Sequence, residues 1–187
     1  MSSGGTQGGV GLVEVLVAVV VFSTGVMGAL AMQITAKSMN FEAAQQLMAT
    51  SLARDIVARI RSNGSGLASY VVNEVGDKTL AYEKNCHFDS CTNAQLAEYD
   101  LFQWTSYLRG EADLVDIDGA LIRAGALVSP RACISSEAGS IEVTIVWRGP
   151  NKITTDTRSD CGKSSGLYGL ANEQRRLLVM TTYVGSL

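Results

Sequence analysis

The stretch Gly9-Val10-Gly11-Leu12-Val13-Glu14 runs straight into Val15-Leu16-Val17-Ala18-Val19-Val20-Val21-Phe22, and no second charge follows Glu14 until Lys37. An apolar run of this length can cross a bilayer, which takes about 20 mostly apolar residues. A carboxylate in hydrocarbon costs a few kcal/mol, so an ionisable residue in such a run is a candidate functional group. The plainer alternative makes Glu14 an interfacial carboxylate at the end of a membrane segment. Met1 to Gly9 is Gly- and Ser-rich without periodicity, and reads as a leader outside the fold. Ala29-Leu30-Ala31 has the form of an ordinary secretory cleavage site. That reading needs a basic n-region and a shorter apolar core than this chain has.

The helical pattern does not stop at the membrane edge. After Gln33 and Lys37 it turns amphipathic, with Ala49, Leu52, Ala53, Ile56 and Ile60 recurring on one face. Arg54, Asp55, Arg59 and Arg61 fall mostly on the remaining surface. Asn63-Gly64-Ser65-Gly66 is the stop signal and offers left-handed conformations for a C-cap. A helix from Val10 to Ser62 would be about 80 Å long, so half of it must pack on something outside a bilayer. Gly25 and Gly28, in the apolar half, would loosen the helix or let a neighbour approach closely. The resulting division is a leader at 1–9, a transmembrane and assembly half at 10–36, an amphipathic half at 37–63 and a separate domain at 64–187.

Beyond the helix, Tyr70 to Asn93 reads as irregular and polar. Ala94 to Leu108 places Leu96, Ala97, Leu101, Trp104 and Leu108 at helical spacing. Strands are expected at Ala120–Ala124 leading to Leu127-Val128, at Ser140–Trp147 and at Arg176–Val184. In the second of these Ile141, Val143, Ile145 and Trp147 alternate inward against Glu142 and Thr144 outward, as in a half-buried strand. Asn151 to Gly169 is polar and reads as a loop. The expected class is α+β: a long N-terminal helix packed on a small antiparallel sheet.

Composition narrows the function. A net charge of -3 and the lack of a basic stretch argue against nucleic-acid binding. Four cysteines lie beyond the apolar segment, an even count that fits two disulfides in an oxidising compartment. Three pairings are open, and local spacing favours Cys86–Cys91 with Cys133–Cys161. His87 between Cys86 and Cys91 lacks the paired spacings of a zinc site. It is also the sole histidine, in a polar loop with no nucleophile-elbow sequence, so neither catalysis nor a cofactor is expected. Asp113, Asp116 and Asp118 before Gly119 hint at a calcium loop but lack its spacing and its bidentate Glu, and Asp118-Gly119 reads better as a tight turn. Trp104 and Trp147 fall on apolar faces and are expected in the core.

The N-terminal stretch resembles the class III signal of type IV pilins and pseudopilins. In that family a peptidase cuts after a Gly and a Glu stands fifth in the mature chain; with Gly9 and Val10 flanking the cut, Glu14 takes that place. Val10 and Gly11 stand where the family usually has Phe or Met and then Thr, and the leader has no Lys or Arg. Leu52 to Asn63, with Arg59-Ile60-Arg61-Ser62-Asn63 at its end, is similar to PilV-type minor pilins. So are Asp100-Leu101-Phe102-Gln103-Trp104 and the strand Ile141 to Trp147. The resemblance implies cleavage by a prepilin peptidase, frequent methylation of the new amine, and pairing of that amine with Glu14 to set helix register. It implies a protein in the inner membrane with a periplasmic domain, contacting other minor and major pilins and the assembly platform. A type II secretion pseudopilin shares the same N-terminal stretch, and a signal-anchored periplasmic binding or enzymatic domain is the alternative of another class.

Overall fold

A computed structural model describes residues 11–111, 114–118, 120–123, 126–154 and 157–184. Internal contacts divide the chain into two units, Met1–Phe41 and Glu42–Leu187. The elements in order are α1 (Leu12–Ser62), a 3-10 turn at Gly64–Tyr70, β1 (Val72–Val75), α2 (Asn93–Leu108), β2 (Leu114–Ile117), β3 (Ala120–Arg123), β4 (Arg131–Glu137), β5 (Ser140–Arg148), a 3-10 turn at Lys163–Ser165 and β6 (Arg175–Tyr183). The class is α+β. A four-stranded antiparallel sheet runs in the order β1-β4-β5-β6, and β2 and β3 form a separate hairpin.

In the second unit the amphipathic face of α1 closes the core. Ala49, Leu52, Ala53, Ile56 and Ile60 are buried against Ala97, Leu101, Trp104 and Leu108 of α2 and against Ala132, Ile134, Ile141, Val143 and Ile145 of the sheet. Burying a large aliphatic side chain contributes about 1.5–3 kcal/mol, so each such residue along this seam stabilises the unit. Trp104 is fully buried, and its indole Nε1–H donates to the Leu52 carbonyl at 2.9 Å, which satisfies the one polar atom of the ring. The N-terminus of α2 is set by a reciprocal cap. The Gln95 N–H donates to Thr92 Oγ1 at 3.3 Å, and the Thr92 N–H donates to Gln95 Oε1 at 3.1 Å.

The end of α1 differs in mechanism from the expectation. Asn63 has φ -126°, and neither Gly64 nor Gly66 is left-handed. The chain instead tightens directly into the 3-10 turn. Asn63 Nδ2 donates to the Asn93 carbonyl at 2.7 Å and to the Tyr70 hydroxyl at 3.3 Å. A Cβ on Gly66 would lie 2.6 Å from both Asn63 Nδ2 and the Asn93 oxygen, so glycine is there for space and not for its backbone freedom. Arg59, expected on the solvated side, is drawn into the same junction. Its Nη1 donates to Asp100 Oδ1 and Gln103 Oε1, each at 2.9 Å, and its Nε to Asp55 Oδ2 at 3.0 Å. Burial pulls the Arg59 pKa down, but the Asp100 hydrogen bond and the Asp55 charge outweigh it and the net shift is upward. The buried Tyr70 hydroxyl donates to the second Asp100 oxygen at 2.5 Å. Burial, and then that hydrogen bond, push the Tyr70 pKa well above its ordinary 10.0.

The sheet also departs from the expectation in detail. Tyr70 to Asn93 contains β1, a short edge strand with only Val75 buried. Leu127-Val128 is not a strand. There the buried Gln45 side chain of α1 stands in for a neighbouring strand, donating from Nε2 to the Ala126 carbonyl at 3.1 Å and accepting from the Val128 N–H at 2.9 Å. The following strand, β4, was not expected at all. It turns into β5 through Ala138-Gly139, whose φ values of 48° and 77° suit a two-residue hairpin loop. The inward row Ile141, Val143, Ile145 and Trp147 is buried as its period requires, but so are Thr144 and Val146 on the other face. The cause is a second apolar cluster of Val146, Cys161 and Tyr168, packed with Cys133, Leu167 and Leu177. Fully buried Arg175 supports it, with Nη2 donating to the Ser159 and Cys161 carbonyls at 2.7 and 2.8 Å.

Tyr70→Phe should lower stability at neutral pH by about 1–3 kcal/mol, because Asp100 keeps its burial and loses a donor. The sign of the alkaline effect follows from the raised pKa. The folded state holds the Tyr70 proton where the unfolded chain releases it, so this contribution is complete below about pH 10 and is lost as pH rises further. Urea unfolding of the full chain across that range should therefore show a steeper alkaline loss for the parent than for Tyr70→Phe. Equal slopes would mean that Tyr70 does not titrate as described.

Candidate assembly surface

In the first unit, α1 presents the most apolar surface of the protein. Its apolar stretch is long enough to cross a membrane, and none of it is buried. Leu12, Phe22 and Met27 are among many large side chains open to the surroundings. Glu14 lies in the first turn, its N–H donating to the Gly11 carbonyl at 2.9 Å. A carboxylate there is favoured by the positive end of the helix dipole. The hydroxyl side chains of the run are satisfied locally. The hydroxyls of Ser23, Thr24 and Thr35 donate to the carbonyls of Val19, Val21 and Ala31 at 2.7, 2.9 and 3.1 Å. Such back-bonding removes the need for water, which suits a hydrocarbon setting. A Cβ at Gly25 or Gly28 would meet nothing within 4 Å, so no contact among the described residues calls for either glycine. What remains is a helical surface that is apolar except for Gln33, with one carboxyl side chain at its head.

Gly9 and Val10, and with them residues 1–9, expected as a leader, lie outside the described residues. Two disulfides are present, Cys86–Cys91 and Cys133–Cys161, with Cα separations of 5.6 and 5.9 Å, ordinary for such bonds. The first clips a turn in which the N–H groups of Phe88 and Asp89 donate to the Asn85 carbonyl at 3.2 and 3.1 Å. The second ties β4 to the segment that covers the outer face of the sheet. His87 sits in the clipped turn with its ring edge-on to Phe88, centroids 4.7 Å apart. Trp104 and Trp147 are both buried in the core. Asp113 and Gly119 lie outside the described residues, and Asp118 takes a left-handed φ of 53° at the turn between β2 and β3. Among the described residues no group of three or more His, Cys, Asp or Glu could hold a metal ion. The hydroxyl back-bonding was readable in principle from Val19-x-x-x-Ser23 and Ala31-x-x-x-Thr35, whereas the Arg59–Asp100–Tyr70 junction joins residues too far apart in sequence to leave a signal.

Residues 31–102 match the family model Tt1218-like, described as type IV pilin Tt1218. This segment is similar to type IV pilins. It covers less than half of the chain, from within α1 through the 3-10 turn and β1 into α2. No curated protein and no solved structure matches the chain. The long N-terminal helix and the antiparallel sheet are consistent with the pilin fold. A pilin role in general terms accompanies the match. Pilins are structural proteins that associate with one another, and an exposed apolar N-terminal helix fits a membrane-anchored member.

The two disulfides should differ in weight. Loop-closure entropy predicts that joint Cys133→Ser and Cys161→Ser replacement costs about 3.5 kcal/mol, and replacement of the Cys86 and Cys91 pair about 2 kcal/mol. Urea unfolding of oxidised protein measures both, and non-reducing peptide mapping checks the connectivity. A larger loss for the Cys86–Cys91 pair would contradict the ranking, and cross-paired peptides would contradict the connectivity.

Proposed function

We propose that the protein is a PilV-like minor pilin that takes part in type IV pilus assembly or initiation. In this reading a prepilin peptidase hydrolyses the Gly9–Val10 peptide bond in the inner membrane. Water adds across the bond, Gly9 keeps the carboxylate and Val10 gains a cationic amine. Residues 10–36 hold the mature chain in the bilayer, while 64–187 fold in the periplasm and meet other minor and major pilins. The inner-membrane assembly platform then draws the subunit into the fibre or supports it at the base.

The observation that carries the reading is Glu14, the one charged residue at the head of an exposed helical surface that is otherwise apolar. In low dielectric an isolated carboxylate is strongly disfavoured, and a neighbouring cation recovers much of the penalty. The Val10 amine is that cation, within one chain or between chains, and methylation leaves its charge in place. Apolar helices can slide past one another at little cost. A buried ion pair cannot, so it selects one axial register.

The mature N-terminus should be Val10, with or without a methyl group. Mass spectrometry of the membrane-extracted protein reads this directly, and a chain starting at Met1 or Met32 rejects the prepilin reading. Glu14→Ala and Glu14→Gln should both be processed and folded, yet be poorly recovered in sheared fibres. The amide keeps the shape but loses the charge that pairs with the amine. Parental recovery of both variants would remove Glu14 as a register device.

A further inference from the structure

The four-stranded sheet has two edges of opposite character. β1 is four residues long, and its register against β4 shifts between Val72 and Val75. Short, irregular edges are a common protection against pairing with another chain. β6 has no such protection. Its nine residues stay in step with β5 from Ser140↔Tyr183 to Arg148↔Arg175; they include no proline, and their charged residues, Arg175 and Arg176, stand at the first end, leaving Leu177 to Tyr183 uncharged.

The register also says which backbone groups are free to pair. Glu137 and Ser140 close the β4-β5 hairpin, so even-numbered residues of β5 bond to β4 and odd-numbered ones bond to β6. The Val184 N–H donates to the Gly139 carbonyl at 3.0 Å in the same register. Even-numbered residues of β6 therefore face β5, and Leu177, Val179, Thr181 and Tyr183 turn their N–H and C=O groups away from the sheet. Among the described residues no strand and no loop backbone pairs with that side.

We propose that the outer edge of β6 is a docking site for an extended strand of another pilin subunit, which joins the sheet as a fifth strand. The inference rests on the pilin reading above for the class of partner. Its own basis is the contrast between a blunted edge and an open one. A row of alternating outward donors and acceptors is matched by an extended backbone, which presents the same groups at the same repeat. Val179, Thr181 and Tyr183 lie on the sheet face opposite the helix-side row of Leu178 and Met180, and Tyr183 is 67% exposed, so the incoming strand meets β-favouring side chains there.

The test uses the full-length protein expressed with its partner pilins. Val179→Pro removes one outward N–H and sets a ring on the edge without touching the β5 ladder, a placement proline tolerates on an edge strand. Intact disulfides and protease resistance establish that it folds. Recovery in sheared fibres should fall about tenfold, the change expected from losing one or two hydrogen bonds. Val179→Thr should match the parent. A photo-crosslinking residue at position 181 should yield an adduct whose second peptide comes from another pilin. Parental recovery of folded Val179→Pro, or adducts confined to the protein's own chain, would overturn the proposal. Should Val179→Pro not fold, the cross-link alone decides. If the Glu14 variants fail to assemble while Val179→Pro assembles normally, the edge is refuted and the pilin reading stands. If the parent itself is absent from sheared fibres, it is the pilin reading that is refuted.

Discussion

An exposed apolar helical surface is the constraint on which the rest depends. From Leu12 onward α1 exposes valines, leucines and methionines that water would not tolerate as a stable surface. That stretch must be covered by lipid or by other helices. The same helix, from Ala49 to Ile60, supplies the buried face of the second unit. One continuous hydrogen-bonded backbone thus serves two environments. The sequence marks the change by replacing an apolar surface all round with an apolar stripe at three- and four-residue spacing.

The second unit carries the polar chemistry that an apolar stripe cannot supply. Gln45 completes the backbone bonds of 126–128, Trp104 reaches the Leu52 carbonyl, and Asp100 gathers Arg59 and Tyr70. Each is a directional contact, costly to break because a buried partner is left unsatisfied. Hydrophobic contacts alone would allow α2 to slide along α1. The Asn63, Arg59 and Tyr70 bonds hold it at one position and set the path of the chain from helix to sheet.

The elements legible in the sequence were those whose periodicity is long relative to their ends. The apolar run, the α2 pattern from Leu96 to Leu108 and the alternation through β5 announced themselves. β4 did not, because only Ala132 and Ile134 carry its inward row and Ser135-Ser136-Glu137 reads as a turn. β1 is too short to show a period. The outer-face cluster was hidden for another reason: Tyr168, Cys161 and Arg175 are brought together by the sheet they pack on, not by any spacing in the sequence. In the candidate assembly surface, Glu14 and its spacing to Gly9 could be read directly, since that signal is local. The pattern of strand pairing, which leaves one edge open, could not be read, since it depends on which strands become neighbours.

Two kinds of contact are available to a chain like this, and they do different work. Burial of the apolar half of α1 is strong and non-directional, so it favours association without choosing a partner or a position. A carboxylate in low dielectric and an open row of backbone donors and acceptors are weaker in sum but depend steeply on geometry. They can reject a neighbour that is displaced along the helix or that lacks a free strand. Specificity is a difference between affinities and rests on what a wrong partner leaves unpaired. On that ground the charge at Glu14 and the edge of β6, not the apolar bulk between Leu12 and Ala36, are where one subunit would be distinguished from another.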